Sequence, residues 1–409
     1  MLKASELHYR RDRRGASPAG KERLSVFRPE QEEVFRILSL PFFNRYSDKT
    51  QVYFLMENDD ITHRGHHVYK VSFLSRLIAA ALNLNETLCE SISLAHDIGH
   101  PPFAHSGERF LDRIMTGKAG IHFNHALQSI RVVEKIFPLG LSLETLCGIA
   151  CHSGFLFDEK GRIENASFEH NLDSFDGFDN FISQCYEEGP KLIKSAIAPS
   201  FEGRVVRICD IISYIFRDRE DALLIGYDFK FDNEEKSLDG ERKFVQDVIR
   251  QSQSKGCVCM SRKAIETLQV LRKENSELIY SSSDFNNIEQ SVIYPLFENL
   301  FMRFLDDLRK EDRSSVIFKH HIDYIEGFRK NSPACRPNGP YYRIDSEADY
   351  FLIASDFLSS MSDDYFISIC RLYFPNIAKK LALTGYFEGF NPNKRRKTTA
   401  ILTPPLFDI

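Results

Sequence analysis

The sequence predicts an all-α fold, and three of its features support this prediction. From residue 28 onward, apolar residues recur at intervals of three and four, which is the period of a helix with one buried face. No stretch alternates apolar and polar residues as a half-buried strand would, and no internal repeat interrupts the pattern. The 409 residues are 43% hydrophobic and 27% charged, which is typical of a globular protein with a core large enough for an enzyme.

The two ends of the chain differ in composition from the rest. Residues 1–27 are polar and basic and contain glycine and proline, so we expect an N-terminal arm, and we interpret residues 391–409 as a tail. Between them, residues 28–390 are expected to form one large helical domain, with a core at about 49–226 and a helical C-terminal part at about 262–390. Basic ends of this kind are usually solvated, and contact of the arm with nucleic acid stays open as an alternative.

Cysteine content and charge limit the classes of function. Nine cysteines with one close pair, Cys257 and Cys259, fit neither a zinc ribbon nor a secreted disulfide framework, so we expect a protein of the reducing cytoplasm. No segment has the length of apolar sequence that a membrane span needs, and the N-terminus lacks the hydrophobic core of a signal peptide, so no membrane partner is expected. A formal net charge of −5 argues against nucleic acid as the main partner.

The first informative helix has one apolar stripe that begins with two polar side chains. Its members share one face and are Arg64, His67, Val71, Leu74, Ile78 and Ala81. Asn85 can cap the next helix, which carries His96 and Asp97 in its final turns before Gly99 and two prolines stop it. The sequence thus places a polar group at the start of one helix and another at the end of the next.

Further helices are predicted from periodicity and from stop signals. We expect a third helix from about Ala126 to Phe137, ended by Pro138, and a fourth from Leu143 to Cys151. Residues 155–190 are acidic and contain asparagine and glycine, so they are expected to be loop with at most short helices.

The stretch from 201 to 226 is expected to form one apolar helix with a polar line along it. The line consists of Arg207, Asp210, Tyr214, Asp218 and Asp221. Such a line faces either solvent or a site. Residues 228–262 are charged and are expected to be a surface excursion, and more helices are predicted at about 262–275, 287–310 and 345–385.

The stretch LAHDIGHPPFAH, residues 94–105, contains three histidines and an aspartate that would be costly to bury unused. His96 and Asp97 are adjacent and can both lean on one ion near the helix end. A mixed imidazole and carboxylate set suits Mn, Fe, Co, Ni or Zn better than Ca. Two ligands are too few, and His67 and Asp210 are candidates for the others, although each of these residues taken alone is more often a hydrogen-bonded core residue.

The order His, His-Asp, Asp on successive predicted helices resembles the HD phosphohydrolase superfamily, and in more detail the deoxyguanosine triphosphate triphosphohydrolase family. The matching pieces span residues 49 to 375. They are KTQV (49–52), RGHH (64–67), LAHDIGHPPFAHSGE (94–108), HFNHALQSIRVVE (122–134), GLSLETLCGIACHSG (140–154), FEGRVVRICDIISYIFRDREDA (201–222) and DFLSSMSDDYFISICRLYFP (356–375).

The resemblance also selects one histidine from three. The chain offers His63, His66 and His67, but the family has an arginine three residues before its ligand and a fixed distance on to His-Asp. Only His67, which follows Arg64, satisfies both conditions. The resemblance therefore implies an all-α HD-type catalytic domain with one divalent metal ion per active site, with Mn, Mg or Fe favoured and Co, Ni or Zn as alternatives. Its implied ligands are His67, His96, Asp97 and Asp210.

The family reaction implied for this chain is hydrolysis of dGTP, with other dNTPs as further candidates, to a deoxynucleoside and triphosphate. The implied general acid or water-positioning group is His105, oriented by Glu108. The implied substrate contacts are Arg64, His100 and His125 on phosphate, Tyr214 and Asp218 on the sugar, and Gln51 on the base or sugar. His152 is a weaker pocket candidate, and a hydrogen-bonding role in the core explains it equally well.

The sequence departs from the family pattern in three places, and the arginine missing from the last of them bears on base choice and regulatory contacts. Arg217 stands where a histidine is usual, Arg204 where a glutamine is common, and Ser362-Asp363-Asp364 where the family has Thr-Asp-Arg. Two alternative functions stay open: an HD phosphohydrolase acting on another nucleotide phosphate ester, and a non-catalytic nucleotide-sensing or nucleic-acid-binding module. The resemblance further implies a homo-oligomer with a dNTP effector at subunit interfaces.

Overall fold

The computed structural model describes residues 2–9, 26–154, 157, 161–163, 171–225, 237–280, 288–335 and 346–381. The prediction of an all-α protein is confirmed, because helices dominate these residues and extended pairing is limited to isolated bridges such as Thr50 with His63. In the same residues, no helix combines the length and the apolar character that crossing a membrane requires. All nine cysteines are free thiols, as expected from their spacing.

Ten helices cover the first part of the chain. They are α1 (Pro29–Leu38), α2 (Arg64–Leu82), α3 (Glu86–Ala95), α4 (Ala104–Ala119), α5 (His125–Arg131), α6 (Leu143–Ala150), α7 (Phe175–Glu188), α8 (Pro190–Ser195), α9 (Phe201–Ile215) and α10 (Arg217–Leu224). Short helical turns at Pro41–Asn44 and Arg45–Asp48 precede α2, and a π-helical turn at Val132–Ile136 extends α5.

Six helices follow in the described C-terminal residues. They are α11 (Ser237–Lys255), α12 (Arg262–Asn275), α13 (Tyr294–Arg309), α14 (Asp323–Asn331), α15 (Glu347–Ser360) and α16 (Asp363–Tyr373). π-helical turns at Ser276–Tyr280, Glu289–Ile293 and Phe318–Ile322 adjoin α12, α13 and α14, and a short helix lies at Pro375–Ala378.

Side chains at several helix starts satisfy the backbone N–H groups that a helix leaves unpaired there. Asn85 accepts from the N–H groups of Thr87 and Leu88, which confirms the predicted cap of α3. Ser142 and Ser200 cap α6 and α9 in the same way. These caps set where the helices begin, so they also set which residues face inward.

Helices α2, α3 and α9 pack against one another. Their apolar stripes meet in one buried layer that includes Val71, Ile78, Leu88, Ile92 and Ile212. His67 lies on α2 and Asp210 on α9, whereas His96 and Asp97, expected in the final turns of α3, directly follow its last residue, Ala95. The apolar packing therefore brings polar residues from distant parts of the sequence to one place.

A second buried layer joins α4 to the C-terminal helices α13 and α15. It is rich in phenylalanine, with Phe297, Phe301, Phe304 and Phe357 all buried. Aromatic side chains supply large apolar areas for packing of this kind. Since α4 begins one residue before His105, this layer determines where the turn containing His105 lies.

Several expectations for the individual elements were wrong. Residues 155–190 were expected to hold at most short helices, but α7 has fourteen residues, because Phe178, Phe181 and Cys185 bury one of its faces. The supposed surface excursion at 228–262 contains α11, whose Val248 is buried. In both segments an apolar stripe is present but is hidden by frequent charged residues.

The stretch from 201 to 226 is not one helix. It is divided at Phe216 into α9 and α10, so Asp218 and Asp221 lie on a different helix from Asp210. The stretch from 345 to 385 is likewise divided, at Met361 and Ser362, between α15 and α16. Helix α14 lies where no helix was predicted.

The beginning of the N-terminal arm is packed on the body of the protein. Leu2 is buried, Ser5 donates hydrogen bonds to the Glu202 carboxylate, and Tyr9 pairs with Ser142. Residues 2–9 therefore pack on the domain, contrary to the prediction of an arm that is not part of the core. The basic run at residues 10–14 and the tail at 391–409 lie outside the described residues.

Candidate active site

The four predicted metal ligands meet between α2, α3 and α9. The Nε2 atom of His67 lies 3.1 Å from Oδ1 of Asp210 and 3.9 Å from Oδ2 of Asp97. The Nε2 atom of His96 lies 3.8 Å and 3.6 Å from the same two oxygens. Two imidazole nitrogens and two carboxylate oxygens thus surround one point, although the residues are separated by up to 143 positions, since 210 − 67 = 143.

The hydrogen bonds of the two histidines leave the correct nitrogens for a metal ion. His96 Nδ1 lies 2.7 Å from the carbonyl oxygen of Ser93, so this nitrogen must donate and Nε2 carries the lone pair of the neutral ring. His67 Nδ1 is held by the hydroxyl of Ser213 at 3.1 Å. Among the described residues, buried His96 Nε2 has no hydrogen-bond partner. Such outer contacts are typical of metal-binding histidines, and the four residues fit a divalent ion.

The two carboxylates are held in their ionised form. Burial acts to raise the pKa of Asp97, but His96 and Arg64 outweigh it and the pKa falls well below its usual value. Burial opposes ionisation of Asp210 in the same way, and the neighbouring His67 lowers its pKa. Ionised oxygens next to neutral imidazole nitrogens are the donors that a divalent ion of this kind takes.

Arg64 and Gln51 lie beside the proposed metal ligands. Arg64 Nη1 donates to Asp97 Oδ2 at 2.5 Å, and its Nη2 contacts the carbonyl oxygen of Gln51 at 3.4 Å. The side-chain oxygen of Gln51 is buried without a hydrogen-bond partner in the described part of the chain. The structure therefore places a guanidinium and an unused amide oxygen next to the His-Asp pair.

Glu108 connects two histidines after the His-Asp turn. Its Oε2 accepts from Nδ1 of His105 at 3.0 Å, and its Oε1 accepts from Nδ1 of His125 at 2.8 Å. Oε1 also accepts from the side chain of Asn124 and from the backbone N–H of His125. Four side chains here are close enough to hold an ion: His100, His105, Glu108 and His125. However, both oxygens of Glu108 already accept hydrogen bonds, so a hydrogen-bonded network explains this group better than a second metal site.

The environment of His125 favours the protonated form of its ring. His152 donates from Nδ1 to the carbonyl oxygen of Ile149, so its Nε2 can only accept, and it lies 3.1 Å from Nε2 of His125. His125 therefore donates from Nε2 to His152 and from Nδ1 to Glu108. Burial acts to lower the pKa of His125, but the Glu108 carboxylate outweighs it and the pKa rises.

His152 and His100 lie at the same centre as neutral rings. Burial and the neighbouring His96 lower the pKa of His152 to about 3, and its Nε2 is 3.8 Å from Oδ1 of Asp97. His100 stacks on His125 with ring centroids 4.6 Å apart, and burial lowers its pKa well below the usual value. Both nitrogens of His100 are buried without hydrogen-bond partners among the described residues.

His152, a weaker pocket candidate from the sequence, lies at the centre of the site beside His125. Like His96, it follows the end of an apolar helix, comes shortly before a glycine and donates from Nδ1 to the carbonyl three residues earlier. That repeated local pattern was the available signal. The structure brings His152 within 4.8 Å of the His96 ring, measured between centroids.

Tyr214 and Asp218 form a further group with a residue that the sequence did not indicate. Tyr280 donates from its hydroxyl to Oδ2 of Asp218 at 2.5 Å, while Oδ1 of Asp218 is buried without a partner in the described chain. Burial raises the pKa of Asp218 to about 7, against the opposing effect of the Tyr280 hydrogen bond. Asp218 can thus exchange its proton near neutral pH.

A cavity of about 390 Å³ adjoins this group. Its lining residues are Tyr214, Gln269, Arg272, Lys273, Asn275, Ser276 and Tyr280. Sequence reasoning missed Arg272, Lys273 and Tyr280, because they lie outside every motif and only packing of α12 on α9 brings them here. They add two cationic side chains to a protein with a net negative charge.

The arginines at two of the three departures from the family pattern hold neighbouring segments together. Arg217 pairs with Asp221 at 3.0 Å and donates to the carbonyl oxygen of Asp60 at 2.7 Å, so it ties α10 to the loop before α2. Arg204 donates to the carbonyl oxygens of Ala198 and Ile163.

Comparison with known proteins gives consistent similarities. The model of the HD domain family matches residues 64–215. A deoxyguanosinetriphosphate triphosphohydrolase-like protein of Azorhizobium caulinodans is 30% identical over 318 residues, which cover 67% of this chain and 75% of that protein. A protein of the same description from Caldanaerobacter subterraneus is 32% identical, over 72% of this chain and 78% of that protein. One from Leptospira interrogans is 30% identical, over 82% of this chain and 87% of that protein.

Proposed function

The chain belongs to the family of deoxyguanosinetriphosphate triphosphohydrolase-like HD-domain proteins, and on this premise we propose that it hydrolyses deoxynucleoside triphosphates to a deoxynucleoside and triphosphate. Membership supports a metal-dependent phosphohydrolase, and the dNTP substrate is the finer part of the proposal. The observation that carries it is the meeting of His67, His96, Asp97 and Asp210 at one point, where Nε2 of His96 has no hydrogen-bond partner among the described residues.

These four residues would hold one divalent ion, which lowers the pKa of a bound water and stabilises negative charge that develops on phosphorus. The protein's own contribution is to keep both carboxylates ionised and to point the Nε2 atoms of His67 and His96 toward them. The buried apolar layer of α2, α3 and α9 adjoins these residues.

The groups beside the ligands suit a strongly anionic substrate. His125 is buried in surroundings that favour its protonated form, and Arg64 places its guanidinium next to Asp97. His100, whose ring nitrogens have no hydrogen-bond partner among the described residues, has one N–H that can donate to a phosphate oxygen. A net-acidic protein needs such a local concentration of donors and positive charge in order to bind a triphosphate.

His105 is proposed to give a proton to the leaving 5′ oxygen. Its side chain is 64% exposed and its Nδ1 is held by Glu108, so Nε2 is the nitrogen available to substrate. Because Glu108 also holds His125, the proton donor and the phosphate-binding histidine keep a fixed spacing. Positioned acids of this kind typically contribute about 10²- to 10⁴-fold to a rate.

Tyr214, Asp218 and Tyr280 are proposed to contact the deoxyribose. The unpartnered Oδ1 of Asp218 can accept from a sugar hydroxyl, and an aromatic ring against C2′ would disfavour a ribose. Arg272 and Lys273, which line the adjoining cavity, add positive charge for the substrate phosphates. Gln51 offers its free amide oxygen to the base or sugar.

The decisive experiment is product chromatography with the purified chain. A panel of dNTPs and NTPs is incubated with Mn or Mg, and we expect intact triphosphate and deoxynucleoside. Release of orthophosphate or pyrophosphate would point to another phosphate ester reaction, and no hydrolysis under any effector condition would refute the proposal. Asp210→Ala should lose both bound metal and turnover, whereas Asp364→Asn, at an exposed position, should keep both.

The identity of the ion and the assembly state are separate parts of the proposal. We propose Mn, Mg or Fe as the ion, and a homo-oligomer whose activity responds to a dNTP effector. Metal analysis of the purified protein tests the first, and light scattering with and without dNTP tests the second.

A further inference from the structure

The turn that leads to His105 has an uncommon backbone. Phe103 and Ala104 have φ values of 60° and 51°, so two consecutive residues with a Cβ adopt the left-handed conformation. Such residues are held only where the surroundings impose the conformation, and they concentrate at functional sites. The turn is also tight at Gly107, where a Cβ would lie 2.0 Å from the carbonyl oxygen of Pro102.

One carboxylate from the C-terminal helices holds this turn. The N–H of Phe103 donates to Oδ1 of Asp363 at 3.0 Å, and Asp363 is the first residue of α16. The other oxygen, Oδ2, accepts from the hydroxyl of Thr50 at 2.7 Å. Asp363 therefore joins the turn before His105 to the segment before Gln51. It lies 260 residues after Phe103 in the sequence.

The Asp363 carboxylate is buried, so its hydrogen bonds are made within the protein and not with solvent. It is 6% exposed, and the Phe103 ring that it anchors packs edge-on against Phe54 and Phe366 at centroid distances of 5.2 Å. Buried Lys49, which donates to the carbonyl oxygens of His100 and Ser359, ties the same two segments together. A buried acceptor with these donors fixes geometry more than it adds stability.

We propose that Asp363 is a positioning residue of the active site, which acts by holding the Phe103 amide so that the left-handed turn aims His105 at the substrate. The proposal rests on the proposed function, since it assigns Asp363 an effect on the proton donor. It also gives a role to the aspartate of the Ser362-Asp363-Asp364 stretch, whose last residue is exposed.

The kinetic test compares four variants of the full chain. Asp363→Ala should lower kcat for dNTP hydrolysis by about 10- to 100-fold, as is typical when an outer support of an active site is removed. Asp363→Asn should recover most of the rate, because its amide oxygen still accepts from Phe103. Thr50→Val removes only the second contact and should change KM more than kcat, and Asp364→Asn should change neither. A fall in kcat with Asp364→Asn as large as with Asp363→Ala would overturn the proposal.

A double-mutant cycle shows whether the effect passes through His105. When His105→Ala is already present, Asp363→Ala should add little further loss, because the group that it positions is gone. Multiplicative losses in the double variant would overturn the proposal. If Asp363→Ala does not fold, Asp363→Glu replaces it, since one added methylene displaces the acceptor without removing the charge, and an unchanged kcat would then contradict the proposal.

Hydrogen exchange separates this proposal from the proposed reaction. Mass spectrometry follows the amides of residues 103–107, which should exchange faster in Asp363→Ala than in wild type, Asp363→Asn or Asp364→Asn. If the wild-type chain hydrolyses no dNTP, the proposed function fails, and faster exchange confined to this turn still supports the placement by Asp363. Unchanged exchange in Asp363→Ala overturns it whatever the activity.

Discussion

Asp218→Asn should stabilise the folded protein, and the gain should grow with pH. Burial raises the pKa of Asp218 from 3.8 to about 7, so the folded chain disfavours the ionised carboxyl by about 4 kcal/mol at about 1.4 kcal/mol per pH unit. Because the raised pKa lets the folded chain bind the proton more tightly than the unfolded chain, stability falls as pH rises through this window and levels off above pH 7. Asparagine removes this dependence.

The expected magnitude follows from the two pKa values. Between pH 5 and pH 8 the wild-type chain should lose about 2.5 kcal/mol that the variant keeps. A weaker hydrogen bond with Tyr280 would change the free energy of unfolding of the variant by an amount that does not vary with pH in this range. The change of the stability difference with pH, and not its sign at one pH, therefore identifies the buried carboxyl as the cause.

Urea denaturation in EDTA at pH 5, 6, 7 and 8 measures the difference for wild type and Asp218→Asn. Asp364→Asn is the matched control, because its exposed carboxyl should give no pH-dependent difference over this range. A difference between wild type and Asp218→Asn that stays flat, or that shrinks as pH rises, would show that Asp218 is not held protonated by its burial.

Three further predictions test neighbouring groups. Tyr280→Phe removes a hydrogen bond that lowers the pKa of Asp218, so the stability transition should move above pH 7 in the same denaturation series; a shift to lower pH would contradict this. Glu108→Gln should reduce kcat by about 10²-fold or more with unchanged metal content by elemental analysis, and loss of the metal would place Glu108 among the ligands instead. Arg207→Lys should lower the free energy of unfolding by about 3 kcal/mol in urea denaturation, because each buried carbonyl left unpaired costs about 1–3 kcal/mol. The Arg207 guanidinium donates to four carbonyl oxygens, those of Cys151, Gly154, Lys194 and Ala196. A loss below about 1 kcal/mol would contradict this role.

The choice of His67 shows how far local sequence information reaches. His63, His66 and His67 lie within five positions, but only His67 is on the apolar face that α2 presents to α3 and α9, and the structure points its Nε2 at Asp97 and Asp210. The family pattern selected His67, and its place on the helical apolar stripe agrees with that choice, because both features lie within one or two helices. The roles of these residues as ligands stay predictions that metal analysis will test.

The break at Phe216 shows where local information ended. Periodicity continues through residues 201 to 222, so no local signal divides the helix, yet Asp218 lies on α10 and accepts a hydrogen bond from Tyr280. The same limit applies to α7 and α11, whose charged residues dilute a buried stripe. Packing on distant segments selects the conformation in such cases and overrides the local preference.

The sequence by itself determined the helical class, the cap of α3, and the residues whose side chains begin or end an apolar stripe, because these depend on groups within a few turns of one another. Only the tertiary structure decided that His152 supports His125, that Tyr280 and Arg272 adjoin the site, and that Asp363 holds the turn before His105. These contacts join segments that are 27 to 260 residues apart. No local period encodes them, since they arise when separate apolar faces are buried together and the remaining polar groups must find partners.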